Sequence, residues 1–324
     1  MYYFSNNQKA LTLISLILLL ACLLACLLSG CSCSRQDQKP AAKQWPADDT
    51  TISLYQHETG ETVEITLREY LYGVVAGEMD VNWPVEALAA QAIMARTFTL
   101  EKLEDGGVPE RGTDASTDIN EFQAYNAEKI NDNVKQAVDE TANLVATYDG
   151  ELIKAWFFAD GGGRTAASAM EGLAYDKEET PYIKSVDDPG FALPDNPNRS
   201  WETYFTMPEV VDAVEQVTGT RRESFGSVSI AEQGESGRVM KYDFDGIPVG
   251  AAALRLALGG ETMKSSLVEE IAIQDGRLMV KGKGYGHGVG MSQWGARALA
   301  EEGKTAEEIV QYFFKDIEIV QVQS

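Results

Sequence analysis

Past residue 33 the sequence contains no cysteine, and its 324 residues include only two histidines, His57 and His287. All four cysteines, Cys22, Cys26, Cys31 and Cys33, crowd near the N-terminus. A disulfide framework and a cysteine nucleophile are therefore excluded from the folded part. Two histidines and no cysteine leave a zinc site to carboxylates, and no ligand spacing points to one. No metal and no other cofactor is expected. Positive charge is also scarce: 27 Lys+Arg face 50 Asp+Glu, for a net charge of -23. Without a basic patch the chain does not read as a nucleic-acid binder. Such acidity repels polyanions and suits a neutral or weakly charged ligand such as a sugar.

Long hydrophobic runs are missing except at the start. Residues 1–30 carry one charge, Lys9, and then ALTLISLILLLACLLACLLSG. This is the layout of a signal peptide or a single membrane anchor. The run ends in Leu28-Ser29-Gly30-Cys31, which fits a bacterial lipoprotein signal with Cys31 lipidated. Cys26 is a weaker second position, and an uncleaved anchor is the alternative. Residues 31–48 then read as a polar, proline-containing flexible tether, and residues 49–324 as the folded domain. The chain is thus expected outside the cell, held to the bacterial membrane by its N-terminus.

Several elements are written in the sequence. Ile52–Tyr55 and Thr62–Ile65 alternate around a turn, a hairpin signal. Thr66 with Glu69 makes a capping box that opens a helix at Leu67. Leu67, Leu71, Val74, Val75 and Glu78 share one face of that helix, so Glu78 is expected on the buried side at its C-terminal end. Burial and the negative end of the helix dipole both raise a carboxyl pKa. Asp80-Val81-Asn82 makes a turn, and an alanine-rich helix over about 84–101 follows, with Pro84 in its first turn, Glu86 near N3, and Gln91 and Arg96 interrupting its apolar pattern. Further helices are expected over 131–141, 206–218, 249–258, 296–302 and 305–314. A hairpin is expected over 144–158, and short strands from Val228 to Val280. Helices and strands alternate without a βαβ period. The class is α+β, with mixed helices and short, mainly antiparallel strands.

The segment from Lys281 to Gly295, KGKGYGHGVGMSQWG, carries alternate glycines from 282 to 290, which suggest a close approach to backbone. It fits neither a dinucleotide fingerprint, nor a phosphate loop, nor a serine-hydrolase elbow. Tyr285, His287, Ser292, Gln293 and Trp294 combine hydrogen bonders with aromatic faces, a set suited to sugar. The alternative is a glycine-rich hairpin whose His287 caps backbone groups. For Glu78 the alternative is a helix-end carboxylate paired with an arginine such as Arg96.

Residues 69–100 and 282–300 together resemble the SpoIID/LytB family, closest to its sporulation-type members. FQAY (122–125), GGRT (162–165), PYIKSVDDP (181–189) and SGRV (236–239) lie between them in the family's order. The resemblance covers roughly residues 50–320 and implies a SpoIID-like catalytic domain. It implies a membrane-attached peptidoglycan lytic transglycosylase of endospore-formers, acting on glycan stripped of stem peptides between N-acetylmuramic acid and N-acetylglucosamine. The family's catalytic Glu falls on Glu78, within Ala76-Gly77-Glu78-Met79. Gln91, Arg96, Tyr285, His287, Ser292 and Gln293 are then expected to line or brace a glycan groove. Some members place His and Cys before the GGRT motif, linked to zinc; Trp156–Gly162 here has neither. The LytB side of the family suggests a second reading, a non-catalytic glycan binder that enhances a cell-wall amidase. Glycan strands, the membrane, and an amidase or other sporulation hydrolases are the expected partners.

Overall fold

The computed structural model describes residues 43–322. The leader or anchor over 1–30 and the lipidation at Cys31 lie outside the described residues. Among the described residues no helix is long and apolar enough to cross a membrane.

The described residues open with the hairpin of β1 (Thr51–Gln56) and β2 (Glu61–Thr66), antiparallel as the alternation requires. Thr66 and Glu69 form the capping box, and α1 (Leu67–Glu78) buries the face that holds Leu67, Leu71, Val74 and Val75. The turn is held by the Asp80 carboxylate, which accepts from the Asn82 backbone N–H at 3.0 Å. Helix α2 (Val85–Glu104) starts one residue later than expected, with Pro84 at its N-cap. Glu86 does not cap its own helix; its carboxylate accepts from Ala306 N–H at 2.7 Å. It thus faces the N-terminus of α8 (Ala306–Phe313), where a negative charge is favoured.

Helix α2 is the centre of the molecule. It is buried nearly all round, as a helix without a polar face must be, and α1, α3 (Asp132–Glu140), α7 (Gln293–Glu301) and α8 pack on it. Its alanines let these neighbours approach. Strand β3 (Ala115–Ser116) pairs parallel with β1, and α3 (Asp132–Glu140) follows. Strands β4 (Leu144–Tyr148) and β5 (Glu151–Leu152) form the expected hairpin, turned by Asp149 and Gly150 at positive φ. That hairpin is shorter than its sequence suggests, because the chain leaves it after Ile153. Strand β6 (Phe157–Phe158) pairs instead, parallel, with β13 (Met291–Ser292). A short α4 (Ala169–Leu173) follows.

A second hydrophobic core is built from residues 201–280. It holds β7 (Trp201–Thr206), α5 (Met207–Thr218), β8 (Val228–Gln233), β9 (Val239–Phe244), β10 (Ile247–Gly250), α6 (Ala251–Ala257), β11 (Val268–Gln274) and β12 (Arg277–Gly282). The strand orders are β10-β9-β8 and β11-β12-β7, all antiparallel. From β12 the glycine segment returns to the first core through β13, α7 (Gln293–Glu301) and α8 (Ala306–Phe313). The last strand, β14 (Glu318–Gln321), pairs with β4. The architecture is α+β with short, mainly antiparallel strands.

Residues 43–48, part of the stretch that composition reads as tether, pack on the fold. Trp45 Nε1 donates to Glu104 Oε1 at 2.7 Å, and Asp48 is buried against Arg96.

Candidate active site

Glu78 ends α1, and the chain turns extended at Met79. Its carboxyl lies partly buried where three distant segments meet. The backbone N–H of Ala124 donates to Oε1 at 2.8 Å, and Gln293 Nε2 lies 3.4 Å from Oε2. Desolvation pushes its pKa up to about 7, and the two hydrogen bonds only partly offset this. The carboxyl therefore exists in both protonation states near neutral pH.

Two glycines bring Ala124 into place. A Cβ on Gly77 would sit 2.7 Å from the Tyr125 nitrogen, and one on Gly73 would sit 2.1 Å from the Tyr125 ring. One glycine-bearing stripe of α1 thus lets the 122–125 segment lie flat against the helix. Asn126 N–H donates to Gly73 O at 2.9 Å, and Tyr125 stacks on Tyr70 with centroids 5.9 Å apart. The FQAY motif names this segment, but its contribution to Glu78 is a backbone N–H, which residue type cannot signal.

Gln293 is the first residue of α7. Ser292 caps that helix by accepting from Gly295 N–H at 3.1 Å. Gln293 Nε2 also lies 3.5 Å from Gln91 Oε1, so α1, α2 and α7 each contribute one side chain to the same place. Gln91 is fully buried, and its own Nε2 has no partner in the protein.

The other expected site residues do different work. Arg96 is not at the site. Five residues beyond Gln91, it projects from a face of α2 about 140° away. It is 0 % exposed and holds Asp48 with both Nε and Nη2, at 2.6 and 2.9 Å. It does not pair with Glu78. Ser292 is buried as a helix cap, beside the Asp188 carboxylate. His287 has both ring nitrogens on backbone: Nδ1 accepts from Val289 N–H, and Nε2 donates to Phe157 O, each at 3.1 Å. Burial, with Arg255 and Arg238 nearby, pushes its pKa down to about 3, so it stays neutral. This is the backbone-capping arrangement, not a free sugar ligand. Tyr285 is partly exposed, bridged through its backbone to Asp160, with the Lys264 ammonium 5.7 Å from its ring.

The glycine run makes room for the protein itself. A Cβ on Gly290 would meet Trp156 O at 2.1 Å, and one on Gly288 would meet Arg238 Nε at 2.2 Å. Asp188, which sequence reasoning passed over, ties this region together. Its carboxylate accepts from Gly161 N–H at 2.6 Å and Gly190 N–H at 3.1 Å, and burial raises its pKa to about 6.

The stretch where some family members carry His and Cys does not fit zinc. Phe158 offers no donor atom. The Asp160 carboxylate already accepts from Gly162 N–H and from the Asn196 amide. Among the described residues no three His, Cys, Asp or Glu side chains gather as a metal site.

The SpoIID family model, stage II sporulation protein, matches residues 55–148, which contain Glu78, Gln91 and the Ala124 N–H. The chain is 30 % identical over 298 residues to stage II sporulation protein D of Bacillus subtilis, covering 87 % of this chain and 83 % of that one. The chain belongs to the SpoIID family. Its likeness extends to an uncharacterized protein of Brachyspira hyodysenteriae, 32 % identical over 79 % of this chain and 67 % of that protein. It extends also to the amidase enhancer of Bacillus subtilis, 28 % identical over 75 % of this chain but only 39 % of the enhancer.

Proposed function

We propose that this chain is a peptidoglycan lytic transglycosylase of sporulation with Glu78 as its single acid/base, attached to the outer face of the membrane by its N-terminus, with Cys31 as the lipidated residue. The observation that carries this reading is a desolvated carboxyl with a pKa near 7, backed by two hydrogen-bond donors. A glycosidase that activates water generally needs two carboxyls. A lytic transglycosylase needs one, because the 6-hydroxyl of the muramic acid replaces water. Protonated Glu78 gives its proton to the glycosidic oxygen as the bond to the anomeric carbon breaks. The resulting carboxylate then takes the proton of the 6-hydroxyl as that oxygen closes on the anomeric carbon. The product is a 1,6-anhydro sugar, and Glu78 ends as it began. Ala124 N–H and the Gln293 amide face the two carboxylate oxygens and steady the charged intermediate state. Gln91 orients Gln293. Ser292 and His287 brace the walls, and Tyr285 borders the groove.

The test is a digest of glycan strands stripped of stem peptides. Anhydro-muramyl products are expected from the wild-type chain and not from Glu78→Gln. Equal products from both would remove Glu78 from the reaction. Mass spectrometry of the mature N-terminus checks the lipid on Cys31.

A non-catalytic second reading draws support from the amidase-enhancer relative and from the missing His/Cys pair. It predicts that the chain binds glycan, releases no product alone, and raises the turnover of an added amidase.

A further inference from the structure

Two tryptophans close in sequence to Glu78 and Gln293 are not used by the reaction above. Trp294 directly follows Gln293 at the start of α7. Trp83 lies at the end of the turn that follows Glu78, its backbone N–H donating to Asp80 O at 3.0 Å. Although far apart in sequence, their rings meet edge to face with centroids 4.9 Å apart. Both side chains remain partly in solvent. The Arg297 guanidinium sits 5.4 Å from one ring centroid and 5.0 Å from the other. It is itself held by Asp195 and Glu301, each at 2.8 Å, and its side chain is only 16 % exposed. The loop at Gly190 presses on the Trp294 backbone, where an added Cβ would come within 2.2 Å.

We propose that Trp83 and Trp294, locked by Arg297, form a saccharide-stacking ledge that binds a pyranose ring of an N-acetylated amino-sugar polymer next to Glu78. The inference rests on the glycan reading of the site and names where that glycan is gripped. Packed, partly exposed indoles lose little conformational entropy on binding, and their faces match the apolar C–H face of a pyranose. Trp294 follows Gln293 in the chain and Arg297 lies one turn further along the same helix, so the ledge is carried by the element that carries Gln293. Arg297 is already neutralised by two carboxylates, so its part is to fix the rings rather than to attract charge.

The test uses the full chain carrying Glu78→Gln, so that bound glycan is not consumed. Glycan strands freed of stem peptides are titrated against it, with affinity read by calorimetry and tryptophan fluorescence. Adding Trp294→Ala is expected to weaken binding about tenfold, and Trp294→Tyr to hold it within about threefold. Trp83→Leu, a separate variant, is expected to weaken binding by a similar factor. The thermal midpoint of each variant shows that it is folded. The ledge is overturned if folded Trp294→Ala and Trp83→Leu both bind like their parent, if Trp294→Tyr loses as much as Trp294→Ala, or if the parent binds no glycan. Cleavage by the wild-type chain is scored separately. Ledge-dependent binding without cleavage would sink the transglycosylase reading and leave the ledge standing. Cleavage with ledge-independent binding would do the reverse.

Discussion

At the residue scale, two buried charged side chains follow different rules. Glu78 has few compensating partners, so burial lifts its pKa to about 7. The folded state then binds a proton more tightly than the unfolded chain does. Stability is greatest below about pH 4.5 for this group and is lost as pH rises through 7. Glu78→Gln should therefore match the wild type in thermal melts near pH 4.5 and exceed it by about 1–3 kcal/mol at pH 8. A constant difference across that range would mean the carboxyl is not desolvated. Cleavage should also decline above about pH 7, as the acid form is lost. Arg96 is the opposite case, a buried charge whose donors are all met by Asp48 and backbone carbonyls. Removing Asp48 strands a guanidinium in the core, so Asp48→Ala should cost about 3–5 kcal/mol in chemical denaturation. A loss under 1 kcal/mol would show that the segment before β1 is dispensable.

At the scale of elements, α1 joins local pattern to the site. Its capping box, its apolar face and the position of Glu78 at its end were legible, because they depend on a 3.6-residue period and on one neighbour three residues away. The purpose of Gly73 and Gly77 was not, since nothing local says which segment needs the space. Gly77→Ala should push the 122–125 segment away and lengthen the Ala124 N–H to Glu78 bond. Losing that bond removes an interaction that lowers the Glu78 pKa, so the alkaline limb of activity should move to higher pH, with a stability cost of about 1–3 kcal/mol. An unchanged limb in a folded variant would exclude Ala124 from the site. The 144–158 hairpin shows the converse. Its turn formed as read, but the second strand was cut short because Phe157 and Phe158 found a parallel partner in β13, a choice no local window contains. Glu86 left its own helix for the N-terminus of α8 for the same reason.

At the scale of the whole molecule, the proposed function asks a strongly acidic chain to hold a glycan that carries carboxylates once its peptides are removed. Repulsion between the two is screened by salt. Affinity of the Glu78→Gln chain for such strands should therefore rise, not fall, as ionic strength increases from about 0.05 to 0.5 M. A fall would point to a dominant basic contact. The sequence by itself determined the α+β class, most helix boundaries, the identity of the buried carboxyl and, through two long motifs, the family. Those features are set by short periods, caps and residue types. Tertiary structure alone decided that Gln293 and Ala124 reach Glu78 from 215 and 46 residues away, that Arg96 turns to Asp48, and that His287 serves backbone. The physical reason is that a side chain's job depends on what the second core and the glycine segment bring against it. So it is with Glu78, named by its helix, whose proton is tuned by partners that only the packed chain supplies.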